Sequence, residues 1–502
     1  MNLKVVAIRI FAKLLRKTVD KFKKNAVIDQ QKLMLQLIKK ASNTTFGKDH
    51  HFQSIKNYED FKKNIPVRDY ENLKSYIELI LEGKQDVLWP GKPKYFAKTS
   101  GTTSGVKYIP ITKESMPNHI STARNALMNY IALSGNADIF KGNLIFLSGS
   151  PELESKAGIP TGRLSGIVNH EVPVWIKGNQ LPSYDTNTIE DWEEKLEKIV
   201  DETVHKDMRL ISGIPPWVQM YYEKLLERTG KSTVLELFPN YSLFMYGGVN
   251  FEPYRAKLES LIGKKIDSIE TYPASEGFIA FQDTLEGPGL LLNTNSGIFF
   301  EFVPVEDAHK EDPKRYDLSS VKLDVDYALI IHNNAGLWGY SIGDCVRFVS
   351  LDPYRVIVTG RVKHFISAFG EHVIGKEVEE ALLGVCNQQN IKVIEFTVAP
   401  QISPPEGGTA YHEWFIEFDT APKDLANFTL EVNQAMCQQN IYYDDLIKGN
   451  ILQTLKIRIL QKDSFRHYMK DNGKLGGQNK VPRLSNDRKI ADALTKYFNK
   501  DY

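Results

Sequence analysis

The sequence predicts an α/β protein with a large first domain and a small, mobile α+β second domain, on three observations. Its 502 residues exceed the roughly 250–300 at which single cores stop growing. From "VLWPGKPKYF" onward, short apolar runs ending in small or polar residues alternate with amphipathic helices, the signature of an α/β sheet. Near "YRVIVTGRVKHF" a strand meets a Gly-Arg turn, and the pattern beyond Gly360 becomes two long strands with interspersed helices. The expected division is 1–359 and 360–502, with 1–85 as a helical lead-in.

In the lead-in, Leu33, Leu37 and Ile38 fall in helical register, and Gly83 in "ILEGK" supplies a stop. The first segment, "MNLKVVAIRIFAKLLRKTVDKFKKN", is basic and amphipathic, which admits two readings. It either docks its Val, Ile, Phe and Leu stripe on the protein body, the favoured reading, or lies on a membrane surface. Charge interrupts it every few residues, so no transmembrane segment of ~20 apolar residues exists there. Further on, "NLIFLSGS" reads as strand then turn, and "TIEDWEEKLEKIVDETV" as a helix with Ile189, Trp192, Leu196 and Val200 on one face. "LFMYGGVN", "DSIETYPASEG" and "GIFFEFVPV" continue the strands. Ligands of open α/β sheets collect at the carboxyl ends of strands, so the run-ends are where chemistry is sought. In the second domain "IKVIEFTVAP" and "YHEWFIEF" flank the "SPPEGG" turn, with helices around 375–386 and 424–438 and a terminal helix after Ser485.

Lys and Arg total 63 against 62 Asp and Glu, which gives no overall electrostatic case for nucleic acid or an anionic membrane surface. The three cysteines, Cys345, Cys386 and Cys437, form neither a disulfide framework nor a metal motif and fit a reducing, cytoplasmic setting. No GxSxG, HExxH or spaced Cys/His pair supports a hydrolase or zinc enzyme. A monomer is favoured.

"KTSGTTSGVKYIPIT" is the informative stretch. Thr99, Ser100, Gly101, Thr102, Thr103, Ser104 and Gly105 combine hydroxyls with glycine backbone, and Lys107 adds a cation; together these are the parts of a phosphate cradle. The spacing of Gly101, Gly105 and Lys107 excludes a Walker A loop. Taken alone, such a stretch is more often a surface loop than a nucleotide site, but the strand-like "YIPIT" behind it fixes one end. "YGGVN" carries Gly247, Gly248 and Val249, where glycine would let backbone approach the face of a base, or simply turn. The helix "MPNHISTARNALMNYIAL" places Ala123 and Leu127 on one face, either lining an acyl pocket or packing in the core, the latter favoured.

"FAKTSGTTSGVKYIPIT", "YPASEG", "NAGLWGYSIGDCVRF" and "GGQNKVPRL", in that order, resemble the Gretchen Hagen Three, auxin-responsive family of acyl-acid amido synthetases. That family lies within the adenylate-forming superfamily of acyl-CoA synthetases, peptide-synthetase adenylation domains and luciferase. "AFGEHV" and "GGQNKV" are similar to its bacterial branch. The resemblance implies that the loop and Lys107 hold ATP phosphates and that Glu276 holds Mg²⁺ against them. Tyr272, with Pro273, Ala274 and Ser275, would line the adenine, and Asp344 would take the ribose. Arg361 would contact ribose or α-phosphate, and Lys363 would be the pivot of the small domain. Lys480, in a Gly-rich loop, matches the family's late lysine and would neutralise charge developing at the α-phosphate.

The expected reaction activates a carboxylic acid as acyl-adenylate and passes it to an amine, an amino acid in the family's manner, with coenzyme A as the alternative acceptor. A non-catalytic nucleotide or acyl sensor is the rival from another class; the presence of Glu276, Asp344, Arg361 and Lys480 together speaks against it.

Overall fold

A computed structural model describes residues 3–100, 106–172, 177–248, 251–308, 310–362, 365–366, 368–371, 373–472 and 481–499. The chain forms two compact units, one of Met1–Thr99, Lys107–Ile189 and Lys195–Val362, the other of Ser100–Val106, Glu190–Glu194 and Lys363–Tyr502.

The first unit is built on an 11-stranded sheet whose halves differ. Gln180–Leu181, Asn143–Phe146, Met208–Ser212, Leu243–Gly247 and Asp267–Ala274 lie side by side and parallel. From there the order runs antiparallel through Gly277–Phe281, Leu290–Leu292, Tyr354–Arg361, Tyr340–Leu351, Asp326–Asn333 and Ile298–Pro304. Gly360 sits inside the Tyr354–Arg361 strand, opposite Cys345. Parallel strands need crossovers, and the helices Trp192–Thr203, Pro215–Thr229 and Glu252–Ile262 supply them. The first of these starts at Trp192, where Asp191 accepts the Glu194 amide at 2.8 Å. Ile189 therefore lies outside it, closing the short Tyr184–Thr188 helix, while Trp192, Leu196, Ile199 and Val200 are buried. A smaller sheet joins Tyr95–Ser100 to Val106–Ile111 on one side and Ile159–Gly162 on the other.

The lead-in is helical: Leu3–Ala41, Thr45–Asp49, Tyr58–Asn64 and Tyr70–Leu81. The long first helix buries Val5, Ile8, Ala12, Leu15, Val19 and Phe22 against the Met116–Ser134 helix and the sheet. Gln30 fixes its far half. Its amide donates to the Thr294 and Ile298 carbonyls at 2.7 and 2.8 Å and accepts from Phe300, so a buried polar group is fully satisfied.

A buried ionic network ties the lead-in to the antiparallel half. Glu301, wholly buried, accepts from Arg315, from the Tyr58 hydroxyl at 2.7 Å and from His332 Nε2 at 2.7 Å. His332 Nδ1 accepts the Gly339 amide at 3.0 Å, so the ring is neutral with its proton on Nε2. Arg315 also donates to the Lys62 and Ile65 carbonyls. Burial alone would raise the Glu301 carboxyl, but the Arg315 charge and the His332 hydrogen bond outweigh it and hold it at about 2, against 4.5 ordinarily. A depressed carboxyl contributes stability that is complete above its unfolded value and is lost as pH falls through its folded one. The window here is pH 4.5 down to about 2, and the loss is about 3 kcal/mol. Urea unfolding at stepped pH should show that loss in the native chain and a smaller one in Glu301→Gln; equal losses would contradict this account.

The second unit has a three-stranded sheet: Lys392–Gln401 antiparallel to Tyr411–Thr420, which runs parallel to Lys456–Leu460. Helices Gly375–Gln389, Leu425–Gln439 and the terminal Lys489–Leu494 accompany it. Glu413 on the middle strand is clamped by Arg458 at 2.7 Å and Arg488 at 2.8 Å. Residues 481–485 run along the Lys392–Gln401 strand: Thr397 donates to the Pro482 carbonyl, Val398 to that of Arg483, and Ser485 to that of Val398.

Candidate active site

Asp267–Ala274 is the last parallel strand, and Ser275-Glu276 forms a two-residue turn into Gly277–Phe281, with Ala274 opposite Gly277. The turn presents Glu276 at the carboxyl edge of the parallel half. Tyr272 stands on the same strand, and Pro273, Ala274 and Ser275 are half-buried beside it. Asp344 and Arg361 come from two other strands that pair antiparallel, directly opposite each other.

In strand order Tyr272 and Asp344 are four places apart. A flat sheet would separate them by about 19 Å, at roughly 4.8 Å per strand. Instead the Tyr272 hydroxyl donates to Asp344 Oδ2 at 2.5 Å, so this half of the sheet curls round until its strands face one another. Arg361 Nε meets Asp344 Oδ1 at 2.7 Å. Gly343, at φ 85, lies just ahead of Asp344, and its carbonyl accepts the Val362 amide at 2.9 Å.

Across the same curl the Tyr340 hydroxyl donates to Glu276 Oε1 at 3.3 Å, and Asn333 Nδ2 donates to the Glu276 carbonyl at 2.8 Å. Asn333 is itself fixed, since its Oδ1 accepts from Ala335 and Leu337. Lys107, on the Val106–Ile111 strand, stands with its ammonium 5.7 Å from the Tyr70 ring centre, and the Tyr70 hydroxyl accepts the Tyr108 amide. Arg68 exchanges main-chain hydrogen bonds with Gly339 and Ser341, bracing the strand that carries Tyr340 and Asp344. The lead-in helices thus position the site.

The charges interact. Burial lowers the Lys107 ammonium, and the attraction of Glu276 opposes that. Burial raises the Glu276 carboxyl above 4.5, and Lys107 opposes that in turn. Desolvation works against the Arg361 charge, but Asp344 outweighs it and the guanidinium is raised. The Tyr272 and Tyr340 phenols are pushed far up by burial and by Asp344 and Glu276 respectively, so both remain donors. The site is therefore two carboxylates, each tied to a tyrosine, with two cations beside them, at a strand edge where ligands gather.

Gly247 and Gly248 end the adjacent Leu243–Gly247 strand. A Cβ at Gly247 would fall 2.3 Å from the Thr271 carbonyl oxygen, so only glycine lets the two strands approach here. Thr99 is half-buried in its strand, whose end is Ser100. Gly101, Thr102, Thr103, Ser104, Gly105, Val249, Lys363 and Lys480 lie outside the described residues. Ala123 and Leu127 pack against the cluster formed with the first helix, the core role. Tyr340 and Asn333 carried no signal as site residues in the sequence, although both lie in or beside a quoted motif. Nor did Tyr70, which lies far from the loop in sequence. Among the described residues no group of three or more His, Cys, Asp and Glu could hold a metal ion by itself.

These features belong to the fold of the acyl acid amido synthetases. The solved structure of AtGH3.15 acyl acid amido synthetase in complex with 2,4-DB matches with a TM-score of 0.62 at 17% identity, covering 97% of this chain and 96% of that one. Family models identify the lineage: the GH3 family N-terminal domain matches residues 15–183 and 162–266, the central domain 291–361 and the C-terminal domain 376–489. The chain belongs to the GH3 family. Similar curated proteins include a jasmonoyl–L-amino acid synthetase, JAR4, of Nicotiana attenuata, 23% identical over 84% of this chain and 85% of its own. The indole-3-acetic acid-amido synthetase GH3.4 of Arabidopsis thaliana is 23% identical over 93% and 90%. The 4-substituted benzoates–glutamate ligase GH3.12 of the same plant is 24% identical over 86% and 88%.

Proposed function

We propose that this protein joins a carboxylic acid to an amino acid through an acyl-adenylate, in the manner of the adenylate-forming superfamily, and that it stands in the bacterial branch of its family. A carboxylate oxygen of the acid attacks the α-phosphorus of ATP and pyrophosphate leaves. The amine nitrogen then attacks the acyl carbon, AMP leaves, and the nitrogen sheds a proton. The observation that carries this reading is the Tyr272–Asp344–Arg361 cluster beside Lys107 and Glu276.

An ionised carboxylate has about four lone-pair sites. Tyr272 and Arg361 engage one on each Asp344 oxygen, and the remaining pair suits two neighbouring ribose hydroxyls. Gly247, Gly248, Val249 and Tyr272 through Ser275 supply a narrow edge for the adenine. Lys107 and the Thr99–Gly105 loop take the β- and γ-phosphates, and Arg361 approaches the α-phosphate. Lys480 meets the charge that spreads between carboxylate, α-phosphate and leaving pyrophosphate. Lys363 is the pivot between the 1–359 domain and the 360–502 lid.

A single carboxylate fits magnesium, which keeps several waters and binds through one or two carboxylates plus substrate phosphates. Glu276 would hold that ion, whose charge would offset the phosphates. With its carboxyl raised above the ordinary 4.5 by burial, binding there weakens as pH falls through that raised value. Glu276→Gln is expected to raise the Mg²⁺ needed for half-maximal activity about tenfold; an unchanged requirement would remove Glu276 from this role.

The test of the proposal is isotope exchange between pyrophosphate and ATP across a panel of carboxylic acids, followed by acceptor trials with amino acids and coenzyme A. Exchange that depends on a particular acid, then amide formation, is expected. Exchange with no acid present would sink it, and product with coenzyme A alone would replace the acceptor.

A further inference from the structure

The first helix has two apolar faces, and the structure buries only one. Val5, Ile8, Ala12, Leu15, Val19 and Phe22 point inward. On the outward side Leu3, Ile10 and Leu14 are 80%, 57% and 57% exposed, with Ala7 exposed between them. Spacings of four, three and four residues set these side chains in one stripe along the helix. Lys13, Lys17, Lys21 and Lys24 are all exposed; Lys13 lies beside that stripe, and Lys17, Lys21 and Lys24 continue the same side of the helix beyond Leu14. Between residues 1 and 25 eight Lys and Arg stand against one acid, Asp20, whereas the chain as a whole carries a net charge of only +1.

We propose that this outward face binds the surface of an anionic lipid bilayer. The partner needs negative charge for the lysines and an apolar interior for Leu3, Ile10 and Leu14. A lipid leaflet offers both in the right order of depth: apolar side chains sink to the acyl boundary while lysines stay among the headgroups. A nucleic acid would leave the leucine stripe in water, and a second copy would bring two strongly basic helices together. No described helix is long and apolar enough to cross a membrane, and the helix is held on the body by Gln30 and by Lys23, which meets Asp283 at 2.7 Å. The contact is therefore a surface one that leaves the fold intact.

The experiment is sedimentation of the full chain with vesicles of mixed phosphatidylglycerol and phosphatidylcholine, and with vesicles of phosphatidylcholine alone. The native chain is expected to sediment with the first and not the second, less so as salt rises. Lys13→Glu with Lys17→Glu should weaken binding at least tenfold, each lysine near an anionic surface being worth about fivefold. Ile10→Glu with Leu14→Glu should abolish it. All four side chains are exposed, so melting temperatures should not change, and that measurement excludes misfolding as the cause. Equal sedimentation with both vesicles, or with neither, overturns the proposal. So does a concentration-dependent dimer that Leu14→Glu dissolves, which would give the face to a second copy.

Discussion

Asp344→Asn should raise the KM for ATP about a hundredfold while leaving the maximal rate far less affected. The side chain keeps its shape but loses the charge that pairs with Arg361 Nε at 2.7 Å and that would accept from two ribose hydroxyls. Hydrogen bonds to a charged group contribute roughly 1.5–3 kcal/mol each, so two of them correspond to a hundredfold or more. The loss falls on ATP binding because a ribose is held equally before and during reaction, and uniform binding appears in KM. Tyr272→Phe is the informative companion. It removes the 2.5 Å hydrogen bond but leaves the Asp344 charge, and should cost about tenfold. Steady-state rates against ATP for both variants check this; an unchanged KM in Asp344→Asn would refute the ribose assignment.

Lys480→Ala should show the opposite division: pyrophosphate exchange slowed by about 10²–10³ with ATP binding nearly intact, as when one preorganised charge donor is removed from a transition state. Lys480 lies outside the described residues; just after it in sequence, Arg483 and Ser485 exchange main-chain hydrogen bonds with Val398, and Thr397 donates to the Pro482 carbonyl. Single-turnover formation of pyrophosphate is the direct readout. Exchange at the native rate would remove Lys480 from the chemistry and leave Lys107 and Arg361 as the cations to examine.

The strands were legible because buried parallel strands read as apolar runs: "LFMYGGVN" and "DSIETYPASEG" begin with Leu243–Gly247 and Asp267–Ala274, and each runs about three residues past its strand into small and polar residues. Tyr272, Glu276 and Arg361 lie at or near strand ends, where such runs stop, but Asp344, read from its Gly-Asp setting as lying past a strand, stands inside Tyr340–Leu351, paired opposite Arg361. The meeting of these residues was not legible. Tyr272 and Asp344 are joined by the curl of the sheet, a property of many strands together that no local pattern carries. The bracing of the site by Arg68 and the stacking of Tyr70 under Lys107 are equally non-local. Glu301 in "GIFFEFVPV" was visible as a charge inside an apolar run, yet its partners Arg315, His332 and Tyr58 are scattered along the chain. The start of the Trp192–Thr203 helix was misplaced because Asp191 caps it from within a stretch that already reads as helical.

The central claim is that the acid is activated on the α-phosphate of ATP and then leaves to an amine. The most direct measurement uses an acid whose carboxyl oxygens are both ¹⁸O, turned over with ATP and an amino acid, and mass analysis of the nucleotide product. AMP is expected to carry one ¹⁸O, because the attacking carboxylate oxygen stays on phosphorus when the acyl group departs. Unlabelled AMP, or ADP with the label in inorganic phosphate, would contradict it.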